Sequence, residues 1–253
     1  RNRSENYPIL NKDPYRPLLD RCLKGRYAPG STFKTANALI FLQEKIITPQ
    51  THFGCKMGYH VGRFRLGCHS HRSPLDLSES VQHSCNAYYC YAFRGMLDDP
   101  KYGNISTAFE TWKNYVVSLG FGYRLGVDMP SEDRGYIPNS QVYDKVYGKS
   151  RWKSLNIVSL SIGQGEVTAT PIQIANLAAT IANKGYWYTP HFLKSIEGVD
   201  TTIIFEKHNV LIEKQYFDPI IKGMEMAVNA TDGGTARIAR IDSIVVCGKT
   251  GTA

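Results

Sequence analysis

The sequence predicts an α+β fold built around an antiparallel sheet. Helical patterns dominate its first two thirds, and strand-like pieces with one helix fill the last third. No strand–helix–strand alternation of the kind that builds a parallel sheet is visible. The 253 residues suffice for one large domain or two small ones, and a composition of 42% apolar and 21% charged residues is ordinary for a globular chain.

The elements follow in order. Residues 1–29, punctuated by Pro8, Pro14, Pro17 and Pro29, read as an irregular lead-in. A helix from Ser31 to Lys45 comes next. Ala36, Ala38, Leu39, Ile40, Phe41 and Leu42 make it apolar on nearly every face, which places it in a core. Residues 48–73 are rich in Gly, His and Cys, and Tyr59, Val61, Phe64 and Leu66 predict a small hairpin there. Pro74 reads as the first residue of a short helix through Leu75, Leu77 and Val81. His83-Ser84-Cys85-Asn86 joins it to a second helix carrying Tyr88, Tyr89, Tyr91, Phe93 and Met96. Residues 106–119 form another helix, and 130–150 read as a long loop.

Thr170-Pro171-Ile172-Gln173 is a capping box that opens a helix over 170–185, with Gly185 as its C′ residue. Residues 191–199, 201–208 and 209–214 are strand-like. Asp218-Pro219 opens a helix to about Val228, and Ile244 to Ala253 reads as a final strand.

The net charge is +8, but Lys and Arg are scattered without a run of five, so a solvated basic surface explains it better than a nucleic-acid site. No apolar run approaches the ~20 residues of a membrane helix. The chain lacks an initiator Met and stops abruptly at Ala253, so it is expected to be a piece of a longer protein, with any membrane anchor outside it.

The candidate chemistry starts with Ser31 and Lys34. At i and i+3 a hydroxyl and an amine share one face of a rigid buried helix, a plausible activated nucleophile. Such a pair is also common by chance, and Ser150 to Lys153 repeats it. Downstream, Ser84-Cys85-Asn86 sets a hydroxyl and an amide one residue apart at a helix junction, although S-x-N recurs at Ser4 and Ser154. Lys249-Thr250-Gly251 occurs once, on the expected last strand, where the glycine permits close backbone approach and the strand offers an edge to a substrate.

S-x-x-K, S-x-N and K-T-G in this order resemble the set found in penicillin-binding proteins and β-lactamases. YAPGSTFK, GQGEVTATPIQIANLAATIANKG and KTGTA extend the resemblance from about Tyr27 to Ala253. In detail the chain is similar to the transpeptidase domain of class B, monofunctional penicillin-binding proteins of the elongation type. The resemblance implies an antiparallel sheet flanked by helices plus a helical subdomain, over 1–253, with the site between them. The family has further strands and a helix after K-T-G, so the C-terminal strands are expected to be missing here.

It also implies a peptidoglycan D,D-transpeptidase acting in cell elongation and shape maintenance, inhibited by β-lactams and needing no cofactor for its chemistry. Ser31 would attack the carbonyl after a D-Ala, and Lys34 would take its proton, which requires the lysine pKa to fall by roughly three units. Lys249 would be the second cation. Ser84 would relay a proton to the leaving group, and Asn86 would hold the substrate amide. Thr250 and Thr252 would bind the substrate carboxylate beside Gly251, and the N–H groups of Ser31 and Thr252 would form the oxyanion hole. Stem peptides are the implied substrates. A membrane glycosyltransferase is the implied partner, and the periplasmic face of the inner membrane is the implied location.

Six cysteines are present, and disulfides are the default for an exported domain. Yet Cys55, Cys68, His71 and Cys85, with His69 in reserve, crowd one Gly-rich region and suit a tetrahedral zinc site within the loop 48–73. Some elongation-type relatives carry a metal near S-x-N with a ligand at its middle position, here Cys85. Free or disulfide-bonded thiols are the alternative. Cys90 and Cys247 read as small core residues. Two competing functions are a β-lactam sensor, whose acyl adduct is the signal, and a zinc-dependent nucleic-acid module. The second leaves three ordered motifs unexplained, and no salt-sensitive nucleic-acid binding is expected.

Overall fold

The structure is a computed structural model that describes residues 2–149, 151–198 and 206–252. Its centre is the helix predicted from Ser31. Gly30–Thr32 forms a 3-10 turn and Phe33–Gln43 the helix α3, after two short helices described below. Phe33 to Leu42 are all buried. Asn37 inside this apolar helix is fully used: its amide donates to Leu160 O and Ser161 O at 3.2 and 2.8 Å, and its Oδ1 accepts from the Trp112 indole at 2.8 Å. A buried polar group is tolerable only with such partners.

Four helices wrap α3. The hairpin strands β1 (Gly58–Val61) and β2 (Phe64–Gly67) pair antiparallel as the sequence predicts, with Tyr59 opposite Leu66 and His60 opposite Arg65. α4 (Leu77–Gln82), α5 (Asn86–Leu97) and α6 (Ile105–Ser118) follow. Aromatic rings lock them together: Phe33 and Phe93 meet Trp112 at 6.2 and 5.6 Å between centroids, and Phe109 meets Trp152 at 5.8 Å. α9 (Phe217–Asn229) lies along α4 so closely that a Cβ on Gly223 would sit 2.6 Å from Val81 Cβ. Only glycine permits that approach.

The sequence reading missed local order in two places. Residues 1–29 contain α1 (Arg3–Lys12) and α2 (Arg21–Lys24), the latter capped by Asp20. Residues 130–150 contain α7 (Ser140–Tyr147), capped by Asn139 and held by Tyr143 between Phe109 and Trp152. α4 starts at Leu77 and not at Pro74: Asp76 accepts from Glu79 N–H, and Glu79 accepts from Asp76 N–H. α8 (Pro171–Ala182) begins as predicted, with Gln173 Oε1 accepting from Thr170 N–H at 3.0 Å. At its end Lys184, φ +55°, takes the C′ place expected of Gly185. Lys184 N–H donates to Ile181 O and Gly185 N–H to Thr180 O, a Schellman closure with glycine one residue later.

Sheet content is small. β3 (Tyr186–Tyr188) pairs antiparallel with β4 (Lys207–Asn209), with Trp187 opposite His208. Residues 191–198 are not a strand, because Phe192 and Leu193 donate their N–H groups to the Asp128 carboxylate. Residues 210–214 instead bond Gly185 O and the Gln43 side chain. Residues 199–205 of the predicted strands lie outside the described residues. The segment from Ile244 to Thr252 forms no ladder among the described residues. It runs extended past α9, where Gly248 N–H donates to Met224 O and Asn229 holds Val246 O. Cys247 is exposed on it rather than in the core, whereas Cys90 is buried as expected.

Candidate active site

Three structural devices bring distant motifs together. The first is the turn that carries Ser31. Gly30 N–H donates to Gly163 O at 2.9 Å, and a Cβ on Gly163, φ +70°, would stand 2.2 Å from Gly30 O. Glycine at 163 is therefore what lets the run Ser154–Ile162 end against the start of α3.

The second is the junction of α4 and α5. Ser84 N–H donates to Val81 O and Cys85 N–H to Ser80 O, again a Schellman closure, so Ser84 occupies the left-handed C′ place with φ +52°. A non-glycine residue there costs roughly 1–2 kcal/mol. Cys85 then caps α5, its Sγ accepting from Tyr88 N–H at 3.5 Å, and Asn86 is the first helical residue. The three letters of S-x-N are thus one helix end, one helix cap and one helix start.

The third is the extended segment along α9, which delivers Lys249. Its Nζ donates to Ser84 Oγ at 2.8 Å. From the other side Lys34 Nζ donates to Ser84 Oγ at 3.1 Å, to Ser84 O at 2.7 Å and to Asn86 Oδ1 at 2.5 Å. One hydroxyl therefore sits between two amines. Among the described residues neither lysine makes an ion pair with a carboxylate. Burial pushes Lys34 down to about 8. Burial, and then the charge of Lys34, push Lys249 down to about 7. Three acceptors match the three N–H bonds of a Lys34 ammonium. Once neutral, the amine has a lone pair free to take a proton.

Ser31, Ser84, Asn86, Thr250 and Thr252 line one cavity of about 430 Å³. Gly251 closes against Thr32, 3.1 Å from where its Cβ would stand. So every position picked from S-x-x-K, S-x-N and K-T-G falls in or directly behind this cavity. His69, Ile162, Gln164 and Thr235 line it too. Ile162 and Gln164 flank Gly163, which abuts Gly30 just ahead of Ser31, and Gln164 belongs to a stretch the sequence reading singled out. Nothing in the sequence pointed to Thr235, which is positioned by donating to Gln82 O.

The thiols and imidazole chosen for a metal also converge. The donor atoms of Cys55, Cys68, His71 and Cys85 all lie within 4.8 Å of one another. Cys68 Sγ is 3.4 Å from His71 Nε2 and accepts from Asn86 N–H at 3.3 Å. His71 Nδ1 is tied to Arg72 O at 2.6 Å, which leaves Nε2 to face the thiols. His69 turns to the cavity instead. All six cysteines are free, so the disulfides expected of an exported domain are not formed.

Residues 2–253 match the penicillin binding protein transpeptidase domain. The chain belongs to that family. Within it, the chain is 31% identical to the peptidoglycan D,D-transpeptidase MrdA of Haemophilus influenzae over 99% of its own length, and it spans 38% of that relative. The fold of this transpeptidase domain superposes on Pseudomonas aeruginosa PBP2, solved in complex with WCK 5153, with a TM-score of 0.81 at 27% identity, covering 98% of this chain and 55% of that one. A peptidoglycan synthase complex that coordinates polymerization and crosslinking gives a TM-score of 0.80 at 30% identity, covering 98% of this chain and 40% of that one. The penicillin-binding transpeptidase fold is thus present, helix-rich and with small antiparallel sheets. No described helix is long and apolar enough to cross a membrane.

Proposed function

We propose that this domain performs peptidoglycan D,D-transpeptidation through an acyl-Ser31 intermediate, and that its protein serves cell elongation. The observation that carries the reading is the Ser84 hydroxyl held between two amines of depressed pKa, opening with Ser31 on one cavity. Neutral Lys34 takes the Ser31 proton as Oγ attacks the carbonyl of the penultimate D-Ala. Ser84 accepts from both lysines, so its own proton is free to pass to the departing D-Ala amine, and Lys34 or Lys249 replaces it. An incoming stem-peptide amine then reverses the path, returns a proton to Ser31 and leaves the cross-link. Asn86 holds the substrate amide. Thr250 and Thr252 take its carboxylate, and the N–H groups of Ser31 and Thr252 face the oxyanion. A β-lactam would enter as a false substrate and stay as the acyl adduct.

The cluster of Cys55, Cys68, His71 and Cys85 fits a structural zinc: three thiols and one imidazole with its other nitrogen anchored are a tetrahedral donor set. Zinc would fix the loop 48–73 to the start of α5, and so hold Ser84 and Asn86 without entering the chemistry. The likeness to a polymerization and crosslinking complex supports a membrane glycosyltransferase partner and work on the periplasmic face of the inner membrane.

The test is intact mass after incubation with a labelled penicillin, beside Ser31→Ala. A one-to-one adduct on Ser31, absent from the variant, is expected. No adduct, or an equal one on Ser31→Ala, would overturn the acyl-serine reading, and rapid release of the label would indicate a β-lactamase.

A further inference from the structure

Thr235 lines the catalytic cavity without belonging to any of the three motifs, and the mechanism above gives it no role. The loop that carries it is rigid. After α9 the chain folds straight back: Ala236 N–H donates to Ala227 O at 2.9 Å, and a Cβ on Gly234 would stand 2.3 Å from the same oxygen. Only glycine permits that approach. Gln82, fully buried at the end of α4, donates from Nε2 to Asp232 Oδ1 at 3.0 Å and to Gly233 O at 2.6 Å. Arg72 holds the other carboxylate oxygen of Asp232 at 3.3 Å.

The bonds of Thr235 itself decide what it can offer. The carbonyl of Gln82 is one of the acceptors that a helix leaves unpaired at its last turn. Thr235 satisfies it twice, from its N–H at 3.3 Å and from Oγ1–H at 3.1 Å. A carbonyl oxygen cannot donate, so the hydroxyl proton is committed there. Only the lone pairs of Oγ1 remain for a ligand, and Thr235 is a fixed acceptor.

The rest of the cavity has few acceptors to spare. Ser84 Oγ accepts from both lysines, and Asn86 Oδ1 accepts from Lys34. No carboxylate lines the cavity among the described residues. Gln164 and His69 line it too, but among the described residues no hydrogen bond fixes the orientation of either side chain.

The nitrogen that reacts here carries hydrogen at every stage. A scissile amide has one N–H. When its C–N bond breaks, the nitrogen takes the Ser84 proton and departs as a primary amine. An incoming primary amine brings two N–H bonds and gives up one proton as its bond to the acyl carbon forms. In each direction one N–H needs an acceptor other than Ser84, and a buried donor left without one weakens binding. The tie to Gln82, two residues before Ser84, sets Thr235 on the same wall as the proton relay.

We propose that Thr235 is a substrate-binding residue that accepts a hydrogen bond from the reacting nitrogen, first from the departing amine and then from the incoming one. It makes the site selective for substrates whose reacting nitrogen bears hydrogen. The proposal rests on the transpeptidase reading, and the experiment separates the two.

Wild type, Thr235→Val and Thr235→Ser are compared. Valine keeps the shape and the backbone N–H bond to Gln82 O and loses only the hydroxyl. Acylation of Ser31 is measured with three donors: a stem peptide ending in D-Ala-D-Ala, the same peptide ending in D-Ala-D-lactate, and penicillin. The ester oxygen and the β-lactam nitrogen carry no hydrogen and cannot form the bond. With the ester donor, transfer of the acyl group to labelled D-alanine is then followed over a range of D-alanine concentrations.

Thr235→Val is expected to slow acylation by the amide about tenfold, and acylation by the ester and penicillin by less than about threefold. D-alanine should saturate transfer only at a concentration about tenfold higher, with little change in the maximum rate. Thr235→Ser should recover both. A merely structural role would slow all three donors alike. Four results would overturn the proposal: equal losses with all three donors, an amide donor that acylates Thr235→Val at the wild-type rate, D-alanine saturating at an unchanged concentration, or a serine variant that behaves like the valine one. Failure of every donor to acylate the wild type would instead sink the transpeptidase reading itself.

Discussion

Lys34→Met tests the centre of the site through stability rather than activity. Lys34 has no exposed surface, and burial lowers its pKa from 10.5 to about 8. Between those values the unfolded chain holds more protons than the folded one, so folding stability rises with pH across the window and is lost as pH falls towards 8. With those two values, the rise due to Lys34 between about pH 7 and about pH 9.5 is about 2 kcal/mol. At a urea m-value of about 2 kcal/mol/M this displaces the unfolding midpoint by about 1 M. Other groups titrate in the same range. Cys90 is pushed up to about 11 by burial and opposes the trend, more so in the variant, which lacks the Lys34 charge that lowers it, so it too widens the difference. Lys249 is lowered partly by the charge of Lys34, so its own share shrinks in the variant and widens the difference. The orphaned Ser84 carbonyl and Asn86 amide oxygen give Lys34→Met an offset that does not depend on pH. The measurement is urea unfolding of both proteins at several pH values, read as the difference between them. A difference that stays constant within about 0.5 kcal/mol would refute a depressed Lys34, and with it a neutral lysine base at physiological pH.

Three further outcomes follow from the same geometry. Ser84→Gly should be more stable than Ser84→Ala by about 1 kcal/mol, because glycine accepts φ +52° and alanine does not, while both lose penicillin acylation; equal stability in chemical denaturation would contradict the strained junction. Gly163→Ala should lose at least about 2 kcal/mol and slow acylation of Ser31, since its Cβ would overlap Gly30 O; a fully stable and active variant would contradict the close approach. The purified protein should carry about one zinc equivalent by elemental analysis, and a strong chelator or Cys85→Ser should remove it and lower Tm by several degrees. Zinc well below one equivalent with unchanged Tm in chelator would rule it out.

The sequence carried the parts of this molecule whose signal is local and whose packing is obligatory. An all-round apolar helix could only be α3. Tyr59, Val61, Phe64 and Leu66 sufficed to suggest the hairpin without a strong periodicity around them, and Thr170 with Gln173 marked the start of α8. Helices with little or no buried face were missed: α1 buries no residue, and α7 is anchored through Tyr143 alone among its aromatics. Strand propensity misled most in the last third, because propensity does not say where a backbone N–H will find its acceptor. The Asp128 carboxylate, Gly185 O and Met224 O took donors that a ladder would have needed. The catalytic motifs were legible as letters, but their geometry was not. Lys34 and Lys249 are 215 positions apart, and only the folded chain sets their amines on one hydroxyl.

That geometry depends on how three helices end. α3, α4 and α8 all close with a non-glycine residue in the left-handed C′ place: Lys45, Ser84 and Lys184. At Lys45 and Lys184 the side chain points into solvent or to a surface partner, Asp218 in the second case, and the strain has no evident use. At Ser84 the same backbone turns the chain back so that both the carbonyl and the hydroxyl of one residue face Lys34. A right-handed residue would continue α4 and carry the hydroxyl away from Lys34 and Lys249. The strain of roughly 1–2 kcal/mol is offset by two closing hydrogen bonds, by Cys85 as the next helix cap and by the thiol and imidazole cluster behind it. The loop 48–73, through its thiols and imidazole, supports the one backbone conformation in which a serine can stand between two lysines. Removing the cluster should therefore slow acylation before it unfolds the domain.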